Sequence, residues 1–73
     1  MTIIPVAPVG RVIREAGAER ISESASEELA RILEEYGMKI STEAIALARH
    51  AGRKTVKEVD IKMAVDIARK TRD

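Results

Sequence analysis

Apolar residues recur along this chain in three blocks with helical spacing. Val9, Val12, Ile13 and Ala16 fall at i, i+3, i+4 and i+7, the stripe of an amphipathic helix. Arg11, Arg14 and Glu15 take the opposite face. A much longer stripe runs through Ile21, Ala25, Leu29, Ile32, Leu33, Tyr36, Ile40, Ala44, Leu47, Ala48 and Ala51, stepping by threes and fours throughout. The third block, Val59, Ile61, Met63, Ala64, Val65, Ile67 and Ala68, is apolar around most of its circumference. The pattern predicts an all-helical chain ordered short helix, long helix, short helix.

Glycine, proline and serine mark the boundaries. Residues 1–6 read as an extended arm, and Pro8 suits the first position of a helix, where its missing N–H is not needed. Gly17 supplies the left-handed conformation that follows a helix end. Ser22 or Ser24 is the N-cap of the long helix, and Ser24-x-x-Glu27 also matches a capping box. No proline follows, and Gly37 is the one weak point, costing about 1 kcal/mol relative to Ala. A helix of about 29 residues is predicted, roughly 44 Å long at its standard rise, with Gly52 as its stop. Thr55-x-x-Glu58 is a candidate capping box for the last helix, although Glu58 and Asp60 also suit a start one or two residues later. That helix runs to about Ala68–Lys70, and residues 70–73 read as a frayed tail. All 73 residues belong to a single domain.

The helix lengths carry a consequence. A helix of roughly 44 Å is longer than a globule of this size is wide, and two short helices cover only part of its stripe. The rest must meet another chain. The segment Ala44-Ile45-Ala46-Leu47-Ala48 is apolar on nearly every side, which predicts burial on two faces. A monomeric three-helix bundle fits poorly, because bundles pair helices of similar length.

Composition narrows the chemistry. So short a chain buries too little surface to be robust without disulfides, a metal or a partner. It has no Cys and one His, so disulfides and a zinc site are excluded and the partner remains. Tyr36 is the sole aromatic, which argues against stacking on single-stranded nucleic acid. No apolar run reaches the roughly 20 residues of a membrane span, and the start lacks a signal-peptide pattern, so an intracellular, soluble protein is expected. There is no acid–base constellation and no Gly-rich phosphate loop, so no enzyme activity, small-molecule substrate or cofactor is expected.

The net charge of +1 hides a division. Residues 21–48 hold six acids, Glu23, Glu27, Glu28, Glu34, Glu35 and Glu43, against Arg31 and Lys39. Residues 49–62 hold five bases, Arg49, Arg53, Lys54, Lys57 and Lys62, against Glu58 and Asp60. Arg11, Arg14 and Arg20 add positive charge to the first helix and first loop. Bases at loops and helix ends, beside exposed backbone N–H groups, suit the positioning of phosphates.

Three stretches carry a resemblance: Pro5-Val-Ala-Pro-Val-Gly-Arg11, Ala16-Gly-Ala-Glu-Arg20-Ile21-Ser22, and Ala48-Arg-His-Ala-Gly-Arg53-Lys-Thr-Val-Lys57 with Asp60-Ile61 behind it. With the helix order, they make the chain resemble archaeal histones from Ile4 to about Ala68. The resemblance implies a histone fold that exists as an obligate handshake dimer, formed with itself or a close paralogue. The first loop of one chain would lie beside the second loop of the other. It further implies binding of double-stranded DNA, with Arg20 entering the minor groove and held by Thr55 of the other chain, as a reader of groove shape. Arg11, Arg14, Lys54 and Lys57 would contact phosphates. Arg53 would pair with Asp60 and brace the second loop. Leu47, His50 and Asp60 would form a four-helix joint between dimers. A cytoplasmic protein of the chromosome follows, one that compacts DNA in nucleosome-like fashion through tetramers or longer assemblies. The second hypothesis is a histone-fold heterodimerisation module with little DNA contact; Arg20, Lys54, Thr55 and Lys57 favour the first, since a pure pairing module needs none of them.

Overall fold

The computed structural model describes residues 3–70. Met1, Thr2 and residues 71–73, where the start of the arm and the end of the frayed tail are expected, lie outside the described residues. The described residues form three helices: α1 (Val6–Glu15), α2 (Glu23–His50) and α3 (Glu58–Lys70). Short–long–short is thus observed, and α2 has 28 residues. Two terminal expectations are corrected. Val6 is already helical, with Pro5 as the N-cap, so Pro8 stands at the third helical position instead of the first; a missing N–H is harmless throughout the first turn. Lys70 is the last residue of α3 and not part of a tail.

The helix ends follow from local chemistry. Beyond α1, Gly17 adopts φ +116°, its N–H donates to the Arg14 carbonyl, and the Ala18 N–H donates to that of Ile13. Beyond α2, Gly52 adopts φ +77°, and the N–H groups of Gly52 and Arg53 donate to the carbonyls of Arg49 and Ala48. Both are Schellman ends, in which a left-handed glycine turns two orphan carbonyls toward later donors. At the start of α2, Ser22 Oγ accepts from the Ala25 N–H at 3.1 Å. Ser22 is therefore the N-cap, while Ser24 lies inside the helix and touches the Ser22 hydroxyl at 3.2 Å. The box from Ser24 to Glu27 is not formed. Nor is the box from Thr55: α3 begins at Glu58, the later of the two starts.

Backbone proximity divides the chain into two compact units, Met1–Tyr36 and Gly37–Asp73. In the first, Val9 and Ala30 are the buried apolar residues, together with Ser26. Gly10 stands so close to Ser26 that a β-carbon there would lie 3.0 Å from its hydroxyl oxygen. Before α1, the Ile4 N–H donates to Glu34 Oε1 at 3.2 Å, and the Ile3 N–H donates to the same oxygen. In the second unit, Ile40, Ala44 and Ala64 form a core, with Leu47, Val65 and Ala68 packed against it.

Much of the apolar stripe has no cover from the other described residues. Ile32, Leu33 and Tyr36 remain between 40% and 47% exposed. In the second unit Ile45, Val56, Val59, Ile61 and Met63 are exposed as well. In the segment expected to be buried on two faces, one of them against a dimer partner, Ala44 and Ala48 are enclosed within the chain and Ile45 and Ala46 face outward.

Candidate nucleic-acid interface

The second loop is built around one ion pair. Arg53 follows the Schellman end of α2, and Asp60 is the third residue of α3. The guanidinium meets the carboxylate in a fork, Nη1 to Oδ2 and Nη2 to Oδ1, both at 2.8 Å. Nη1 also donates to the Thr55 carbonyl at 2.9 Å. Asp60 Oδ2 accepts in addition from the Lys57 N–H at 2.7 Å, so Asp60 caps the helix it belongs to from its third position. One arginine and one aspartate thereby tie the end of α2, the middle of the loop and the start of α3 together. The spacing Lys57-x-x-Asp60 holds the only sequence signal for this cap, which uses neither Ser nor Thr.

Electrostatics match the geometry. The Arg53 guanidinium, and after it the Lys57 N–H, hold the Asp60 carboxyl down at about 2, well below its ordinary 3.8. The hydrogen bond to Asp60 raises the pKa of Arg53 in turn. The Asp60 side chain is 3% exposed and that of Arg53 29%. This pair is therefore a brace, turned inward, while the side chains it leaves on the surface of the loop include Lys54, Thr55 and Lys57, all exposed.

The first unit carries the other bases. Arg11 and Arg14 are exposed and three residues apart on α1, hence on neighbouring positions of one face. Arg14 sits in the last turn, where a cation suits the helix dipole. Arg20 is exposed in the first loop. Arg31 is committed elsewhere: it bridges Glu28 at 2.5 Å and Glu35 at 2.6 Å along α2. Those hydrogen bonds lower the pKa of Glu28 and raise that of Arg31.

Comparison with known proteins places this architecture. Residues 2–65 match the family described as histone-like transcription factor (CBF/NF-Y) and archaeal histone. The chain belongs to this family. It is 54% identical over 65 residues to one of the subunits of archaeal histone HAN1 from Thermococcus zilligii, spanning 89% of this chain and 97% of that protein. It is 46% identical, with the same coverage, to probable archaeal histone 3 of Methanocaldococcus jannaschii. The three-helix order is the histone fold, and a member of this family is a structural protein and not an enzyme.

Within that family framework, the remaining residues named from the sequence are distributed as follows. Leu47 is half-buried against the core of the second unit. His50 closes α2 and is exposed. Asp60 is buried, and its Oδ1 accepts from Arg53 Nη2, which leaves that oxygen a further acceptor position. Among the described residues no helix is long and apolar enough to cross a membrane.

Proposed function

We propose that this chain is an architectural chromatin protein that binds and compacts double-stranded DNA with little sequence preference, on the chromosome in the cytoplasm. Two copies, or one copy and a close paralogue, pair in a handshake that covers the exposed Ile32, Leu33 and Tyr36. Such area on so short a chain has no other route to burial, and the family membership supports this mode of pairing. Arg20 enters the minor groove with Thr55 of the second copy beside it, and Arg11, Arg14, Lys54 and Lys57 hold phosphates. A minor-groove arginine with phosphate contacts on either side recognises groove shape and backbone, with few base-specific bonds.

The observation that carries this reading is the braced second loop. A bidentate pair and a capped helix start hold the loop in place, and they leave two lysines and a threonine outward. A module that only dimerised would have no use for a rigid cationic loop. Dimers then join through Leu47, His50 and the remaining acceptor position of Asp60, end to end along the DNA. A pair of chains carries only about +2, so long-range attraction is weak and local clusters supply the affinity, which makes binding salt-sensitive.

Nuclease digestion of the complex reconstituted on a long duplex tests this. Protected fragments are the expected result, and a fixed step between their sizes would mean open-ended stacking. No protection at low salt would leave only the heterodimerisation module, and a single protected size would mean a closed assembly in place of stacking.

A further inference from the structure

We propose that Glu34 is a positioning residue for DNA binding, acting on the segment that leads into α1; this rests on the DNA-binding reading above. Two observations single it out. The N-terminus of α1 lacks the usual means of anchoring itself: its N-cap is Pro5, no side chain caps it, and its first turn holds no acid. The missing anchor comes from 30 residues away, on α2. One oxygen of Glu34 accepts the backbone N–H groups of both Ile4 and Ile3, and Glu34 itself is half-buried. The sequence counts Glu34 among the six acids of residues 21–48, a composition that suits a solvated helix face. Its neighbours Glu28 and Glu35 do behave so, each bonded to Arg31 in the open.

Glu34 therefore acts on the entry to α1. The carboxylate fixes the direction from which the chain approaches Pro5, and with it the first turn of the helix that carries Arg11 and Arg14. Without the clasp, residues 3 and 4 lose two hydrogen bonds and the first turn of α1 is less constrained, although Val9 still packs and the glycine-capped end remains. The phosphate contacts of α1 would then be made from a range of orientations, and narrowing that range on binding costs entropy.

The experiment compares the full chain with Glu34→Ala and Glu34→Gln. Three quantities are measured on each: amide hydrogen exchange at Ile3 and Ile4, the salt dependence of binding, and hydroxyl-radical footprints on a long duplex. Glu34→Ala is expected to speed exchange at both amides and to remove protection at the backbone positions assigned to α1. It should also flatten the slope of log Kd against log salt by about 1 for each phosphate that α1 no longer holds. Glu34→Gln keeps an acceptor oxygen and is expected to restore most of the footprint. A Glu34→Ala protein with faster exchange or a lower Tm but an unchanged footprint would overturn the proposal, since the clasp would then serve stability alone. Unchanged exchange would overturn it too. Absence of any footprint with the unaltered chain would instead count against DNA binding itself.

Discussion

Arg53 and Asp60 form a two-bonded fork at 2.8 Å in which the acid is enclosed and the base reaches the surface. The asymmetry decides what removing either partner does. Arg53→Ala strands an enclosed carboxylate, whereas Asp60→Asn leaves a guanidinium that water can still reach. Urea melts at neutral pH should therefore show Arg53→Ala as the more destabilised, with the double variant Arg53→Ala/Asp60→Asn less harmed than the two single effects combined.

The same pair sets a pH dependence. The Asp60 pKa is lowered on folding, from 3.8 to about 2, so its contribution is present above the ordinary carboxylate range and is lost as pH falls through the folded value. Thermal melts between pH 5 and pH 2 should lose stability in that window, and Asp60→Asn should lose less over the same range. An identical acid transition in both proteins would count against the assignment.

The cap of α2 gives a contrast between two serines. Ser22→Ala should cost about 1 kcal/mol, the usual value of an N-cap hydroxyl. Ser24→Ala, inside the first turn, should change little. Chemical denaturation distinguishes them, and equal effects would mean that the helix start is shared.

Gly10 and Ser26 are coupled by space. A methyl group on Gly10 gains helix propensity but meets the Ser26 hydroxyl at 3.0 Å. Gly10→Ala alone is expected to destabilise, and Ser26→Ala should rescue it, a favourable interaction in a double-mutant cycle. Additive single effects would show that α1 yields at this point.

Charge and joint are tested separately. Lys54→Ala and Lys57→Ala should each weaken binding evenly across DNA sequences and reduce the salt slope by about 1, as expected for side chains that hold phosphates. Arg20→Ala should weaken binding and compaction more, through the minor groove. His50→Ala, at an exposed position, should leave dimers intact in sedimentation while the longest nuclease-protected fragments disappear.

How far the residues alone foretell this molecule depends on the kind of signal. Helical order rests on spacing, and a stripe from Ile21 to Ala51 without a proline has one regular solution. Gly17 and Gly52 announce the ends, because the left-handed conformation is closed to most other residues. The starts are less readable: Ser22 and Ser24 offer the same chemistry, and Asp60 caps α3 from within by an interaction that needs the loop already closed. Pro8 points two positions away from the true start because any place in a first turn tolerates it. Least visible is the bond from Glu34 to Ile3 and Ile4, since no local pattern ties an acid in one helix to backbone groups 30 residues earlier.

Tyr36 has a practical consequence. It is the sole aromatic side chain, with neither Trp nor Phe beside it, and it stands on the apolar surface that pairing is proposed to cover. The protein thus carries its own optical probe: emission from one phenol, read on dilution without any label, follows the two-body equilibrium itself.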